Sequence, residues 1–114
     1  MADRPLSWLG DSLTVIQAFP AQARRATGYQ LRRVQQGLMP TDWKAMTSVG
    51  AGVLEVRIRG QLEHRILYVA KFAEAVYVLH AFEKKSQKTR KADLGIARRR
   101  LKDLMALRGA KKEI

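Results

Sequence analysis

Helical periodicity toward both ends of the chain and two-residue alternation in its middle predict an α+β domain. The expected parts are two N-terminal helices, an antiparallel-rich sheet of about four strands, and a C-terminal helix. Residues 1–114 are enough for one domain with a modest core. The third observation is charge: 22 Lys+Arg stand against 10 Asp+Glu, a net +12.

The elements follow in chain order. Pro5-Leu-Ser-Trp-Leu9 alternates weakly and stops at Gly10-Asp11, which predicts a short first strand. Asp11 or Ser12 suits a helix N-cap, because either side chain can accept from the free amides of a first turn. Leu13, Ile16 and Phe19 form that helix's apolar face, and Pro20 ends it. A second helix is expected from about Ala21 to Gln36. Its apolar positions Ala23, Ala26, Leu31 and Val34 leave Arg24, Arg25, Arg32 and Arg33 mostly outward. Gly37 terminates it, since glycine enters the left-handed cap region without steric cost. Met39 to Met46 reads as a connector, with Trp8 and Trp43 as core or connector packing.

From Val53 the period becomes two. Leu54, Val56 and Ile58 lie on one side, and Glu55, Arg57 and Arg59 on the other, which predicts a half-buried strand with a charged open face. A turn at Gly60-Gln61 leads into a strand from His64 to Lys71, and a short link leads into another from Ala75 to Phe82. Apolar matching sets the first hairpin's register: Ile58 faces His64, Val56 faces Ile66 and Leu54 faces Tyr68. The same register sets Arg57 opposite Arg65, two cations about 5 Å apart that repel each other. A phosphate site requires such a pair, whereas folding alone gives no reason for it. The final helix is expected from about Ala92 to Leu107, with Asp93 in its first turn. Arg98-Arg-Arg100 and Lys102 cover its remaining surface, the arginines as a solvated face or a peripheral backbone-contact strip, and Lys111-Lys112-Glu113 reads as a frayed tail.

The positive charge is concentrated. Residues 1–56 hold six cations and four anions, whereas residues 57–114 hold sixteen cations and six anions. Five of those cations, Lys84, Lys85, Lys88, Arg90 and Lys91, fall at the exit of the last strand. Such an asymmetry is the footprint of a polyanion partner, and nucleic acid is the commonest one. Absent cysteines exclude disulfides, thiolate catalysis and Cys-ligated zinc. His64 and His80 alone argue against a metal site, and no cofactor is expected. No apolar run approaches the roughly 20 residues of a membrane helix, and the N-terminus lacks a signal-peptide layout. A cytoplasmic protein is therefore expected. His80, within a central strand, fits either a satisfied core histidine or a general acid or base.

Three segments carry a family resemblance: Gly52-Val-Leu-Glu-Val-Arg-Ile58, Arg65-Ile-Leu-Tyr68, and Val78-Leu-His-Ala-Phe-Glu-Lys-Lys-Ser-Gln-Lys-Thr89. With the Ala-rich basic helix that follows, they resemble the RelE/HigB toxins of bacterial toxin–antitoxin pairs, above all the phage-derived, HigB-like branch. The resemblance covers nearly the whole chain. It implies a RelE-like compact domain with two helices packed on one face of the sheet. It further implies an endoribonuclease, an mRNA interferase, that cuts translated messenger in the ribosome's decoding site by metal-independent 2′-hydroxyl attack. By position, the basic cleavage residues fall on Arg57, Arg65 and the Lys84-Lys85 pair, with Glu55 in the neighbouring slot. The expected catalytic set is Arg57, Arg65 and Lys85, with Arg65 and Lys85 clamping the phosphate, together with His80, which joins it as a proton carrier on its own titration range. Lys84, Lys88, Arg90, Lys91 and Arg59 become RNA contacts. Some members place a tyrosine or histidine near the C-terminus, and this chain has neither after Tyr77 and His80. The implied partners are messenger on the ribosome and a helix-turn-helix antitoxin, with operator DNA bound only through the antitoxin complex. Two rival readings are a toxin of the same fold that inhibits DNA gyrase and a basic protein that only holds nucleic acid.

Overall fold

The structure is a computed structural model that describes residues 3–85 and 90–112. Eight elements follow one another: β1 (Leu6–Trp8), α1 (Ser12–Gln17), α2 (Ala21–Gln35), β2 (Trp43–Ala45), β3 (Val53–Ile58), β4 (Glu63–Val69), β5 (Val76–Lys84) and α3 (Lys91–Lys112). They build an α+β domain around one five-stranded sheet of order β1-β5-β4-β3-β2. Among the described residues, only the β1–β5 pair is parallel.

The hairpin register matches the apolar expectation at every pair, including Arg57 opposite Arg65 and Ile58 opposite His64. It is held by burial on one face: Val56, Ile58, Ile66, Tyr68, Val78 and Ala81 pack against Ile16, Phe19, Leu31 and Val34 of the N-terminal helical segment. Shifting either strand by one residue would drive Arg57 or Glu55 into that core. His64 belongs to this face too, buried with its ring 4.3 Å from that of Phe19.

The opposite face differs from expectation. Val53, Leu67, Val69, Leu79 and Phe82 form a second core with Ala97 and Leu104 of α3. The C-terminal helix therefore covers much of the face that alternation in β3 had marked as open. Glu55 is 1% exposed and Arg65 only 3%. β4 is buried on both faces, so its sequence runs apolar through Ile66-Leu-Tyr-Val69 instead of alternating.

Several local expectations are corrected. The Met39–Met46 connector contains β2, which pairs Trp43 with Val56 and Ala45 with Leu54. All three of its residues are exposed, so no burial pattern marked it, and Trp43 is an edge-strand side chain rather than core packing. Neither Asp11 nor Ser12 caps α1 with its side chain. Ser12 Oγ donates to the Val78 carbonyl at 3.2 Å, tying α1 to β5. The Asp11 carboxylate accepts from Arg100 at 2.7 Å, and that bond holds its pKa below the usual value. Arg100 also donates to the Leu79 carbonyl at 2.9 Å, and Arg98 to that of Ser48 at 2.8 Å, so the two tie α3 to its neighbours and are not merely solvated. β5 runs two residues past Phe82, and α3 reaches Lys112, past the expected Leu107. Gly37 takes the left-handed conformation at φ 85° that ends α2.

Candidate nucleic-acid interface

The end of the sheet beyond α3's cover collects the charged side chains. In β3–β5 the row Arg57, Arg65, Phe82 is followed by Glu63 opposite Lys84. Alternation puts Arg57, Arg65, Glu63 and Lys84 on the face that α3 shares. Arg59 and Asp42 flank them, Asp42 accepting the Arg57 amide at 2.9 Å through its carbonyl.

Carboxylates remove the repulsion expected between Arg57 and Arg65. Arg65 Nη1 donates to Glu55 Oε1 at 2.8 Å and Nη2 to Glu63 Oε2 at 2.6 Å. Arg57 Nε lies 3.8 Å from the same Glu55 oxygen, and its Nη1 is 3.9 Å from Asp42. Arg59 spans Asp42 at 2.6 Å and Glu63 at 3.2 Å. Three arginines therefore alternate with three carboxylates in one network. Buried charge of this kind persists only when it is paired and hydrogen-bonded. Sequence reasoning missed Asp42 and Glu63 in this role. The same register that paired the arginines would have found Glu63, because it stands two residues before Arg65 on the same face.

Exposure sorts the members. The Arg65 and Glu55 side chains are 4% and 2% exposed, whereas those of Arg57, Asp42 and Glu63 are 25%, 35% and 33%. Arg65 is thus an internal tie, and the surface beside it presents Arg57, Arg59, Glu63 and Lys84, with the exposed Lys85 following at the strand's end. The Arg65 hydrogen bond, followed by the nearby charges of Arg65, Arg59 and Lys84, holds the Glu63 pKa below its ordinary 4.5, so Glu63 is an anion at neutral pH.

His80 lies deeper. A β-bulge between β4 and β5 pairs Leu67 with His80 and Tyr68 with Val78, which turns both Leu79 and His80 toward α3. There His80 Nε2 lies 2.8 Å from Asp93 Oδ1, and Asp93 Oδ2 accepts from Arg90 Nε at 3.2 Å. Phe82 stacks on the imidazole with centroids 5.4 Å apart. His80 and Asp93 are 6% and 4% exposed. Asp93 is the partner that sequence reasoning left as a first-turn residue. Arg90 and Lys91 are exposed at the start of α3, and Lys88 lies outside the described residues.

Among the described residues, no group of three or more His, Cys, Asp or Glu is arranged to hold a metal ion. No described helix is long and apolar enough to cross a membrane. No curated protein matches the chain. A family model does, over residues 14–102, from within α1 through the cationic exit and into α3; it describes the phage-derived Gp49-like proteins (DUF891), a family associated with toxins of toxin–antitoxin pairs. The matched span holds the charged network, the His80–Asp93 pair and the exit lysines, and the chain belongs to the Gp49-like family.

Proposed function

We propose that this Gp49-like protein is the toxin of a toxin–antitoxin pair and acts as a ribosome-dependent endoribonuclease on translated messenger. The observation that carries the reading is the pair of part-exposed cations Arg57 and Lys84 beside a carboxylate held ionised, Glu63, on a paired sheet face, with Lys85 exposed at the strand's exit. Side chains on paired strands hold their geometry better than side chains on loops, and positioning with charge stabilisation is what phosphodiester cleavage demands.

A messenger seated across this row has its scissile phosphate between Arg57 and the Lys84-Lys85 pair. The 2′-hydroxyl of the preceding ribose attacks phosphorus while the bond from phosphorus to the 5′-oxygen breaks. A 2′,3′-cyclic phosphate and a free 5′-hydroxyl result. The hydroxyl's proton passes to Glu63, and a lysine ammonium supplies one to the departing 5′-oxygen. The cations offset the extra negative charge of the pentavalent transition state. Arg65, expected from the sequence among the cleavage residues, acts one layer back, holding Glu55 and Glu63 in place. Glu63 is a weak base because its pKa is low, so the chain relies on the ribosome to present the bond.

The family association implies a cognate antitoxin; by resemblance this is a separately encoded helix-turn-helix protein whose complex binds operator DNA. The test is brief expression in bacteria followed by messenger mapping. Growth arrest with messengers cut inside translated regions supports the reading. Arrest with intact messenger and trapped gyrase, or intact messenger with only nucleic-acid binding, overturns it.

A further inference from the structure

The cationic exit has two described ends, Lys84-Lys85 at the close of β5 and Arg90-Lys91 at the start of α3. One carboxylate connects both. Asp93 Oδ1 holds His80, four residues before Lys84 on the same strand, and Oδ2 holds Arg90. The bulge at Leu79 is what brings His80 to the α3 side; with regular alternation only one residue of the Leu79-His80 pair would face that helix. Neither imidazole nitrogen is open to a substrate: Nε2 is taken by Asp93, and Nδ1 is buried with no hydrogen-bond partner among the described residues. Phe82, opposite Arg65 in the strand register, closes the ring's stacked face. A group so enclosed cannot exchange a proton with a messenger, yet it is well placed to fix the angle at which α3 leaves the sheet.

We propose that Asp93 is a positioning residue that works through His80 and Arg90, setting the two ends of the cationic exit at a fixed separation so that Lys84, Lys85 and Arg90 meet the nucleic-acid backbone together. His80 belongs to this clamp and takes no proton in the reaction. The inference rests on the nuclease reading for its catalytic consequence, but the clamp itself can be examined without that activity.

The experiment compares His80→Gln, His80→Leu, Asp93→Asn and Asp93→Ala in the full-length protein. Its three readouts are messenger cleavage on ribosomes across pH, affinity for a 20-nucleotide RNA, and trypsin cleavage after Lys84, Lys85, Arg90 and Lys91. Gln at position 80 retains a donor toward Asp93, so it should stay within about threefold of wild type on every readout. Leu at position 80 and Ala at position 93 should raise KM at least tenfold, with a smaller effect on kcat. The same two should weaken RNA binding and speed trypsin cleavage at the exit at least tenfold. Asp93→Asn keeps the contact to His80 but turns an amide toward Arg90, so trypsin should attack faster after Arg90 and Lys91 than after Lys84 and Lys85. The acid limb of the pH profile should be the same in His80→Gln as in wild type. A limb that disappears in that variant makes His80 a proton carrier and overturns the proposal. A lower melting temperature with unchanged RNA affinity and unchanged exit proteolysis overturns it as well, leaving an ordinary core contact. If the wild type cuts no messenger, the nuclease reading fails, and RNA affinity with exit proteolysis still decides the clamp.

Discussion

Glu55→Gln probes the pairing on which the charged network depends. The Glu55 and Arg65 side chains are 2% and 4% exposed and meet at 2.8 Å. Gln keeps the shape and one acceptor but removes the charge, leaving the Arg65 guanidinium buried with Glu63 at 2.6 Å, which is itself one-third exposed. Breaking a buried ion pair by neutralising one partner costs about 3–5 kcal/mol. The surviving Glu63 contact places this variant at the low end, about 3 kcal/mol, which is a large share of a typical domain's stability of about 5–15 kcal/mol. For a chain near this size the melting temperature should fall by on the order of 15 °C. Arg65→Met alone removes the 2.8 Å contact from the buried Glu55 carboxylate, leaving Arg57 Nε at 3.8 Å, and should cost a similar amount. The double variant Glu55→Leu with Arg65→Met removes both charges together and should return to within about 1 kcal/mol of wild type. Urea denaturation followed by circular dichroism at pH 7, with Glu55→Leu and Arg65→Met as the singles of a double-mutant cycle, gives the coupling directly. A loss below about 1 kcal/mol in Glu55→Gln, or singles that add up to the double, would refute the view that this pair is a buried tie.

Three further outcomes follow from the same geometry. Arg57→Ala and Lys85→Ala should each lower messenger cleavage on the order of a hundredfold, the usual effect of losing one preorganised charge contact; near-full activity at matched expression and an unchanged melting curve would remove that residue from the site. Glu63 has a folded-state pKa below its unfolded value of 4.5, so its contribution to stability is present above that value and lost as pH falls through the depressed one; Glu63→Gln should therefore flatten the acid arm of the stability curve measured between pH 5 and pH 2 (about the span of that transition), and an unaltered arm would count against it. Burial pushes the Tyr68 hydroxyl up to about 12. Its stabilising contribution is complete below the unfolded value of 10.0 and disappears as pH rises through about 12. Phenolate absorbance should show one tyrosine released only with alkaline unfolding, and ionisation of every tyrosine before the protein unfolds would contradict the buried assignment.

The hairpin register was legible in the sequence because a one-residue slip would have buried charge, and the alternation of β3 leaves few other choices. Burial of α2 through Leu31 and Val34 was legible for a similar reason, a clean helical period ended by glycine. What alternation could not show is what lies over a face. The residues that place α3 on the charged side, Ala97 and Leu104, are part of an ordinary amphipathic pattern whose target is set only by topology. Arg65, beyond that cover, is buried beside Glu55 and Glu63, and burying its guanidinium makes the carboxylates at positions 55 and 63 necessary. β2 was hidden because three exposed residues carry no periodic signal. His80 could be read either way until the bulge was seen, since its orientation depends on one extra residue in β5.

The central claim is that this protein cuts messenger at the ribosome by using the messenger's own 2′-hydroxyl. The most direct measurement incubates purified protein with end-labelled messenger in a reconstituted translation system, with and without ribosomes, and determines the chemistry of the new ends. The account predicts cuts that require ribosomes, 5′-hydroxyl ends on the downstream fragments, and cyclic or 3′-phosphate ends upstream. Equal cutting of free RNA, 5′-phosphate ends, or messenger that stays whole while translation proceeds would contradict it.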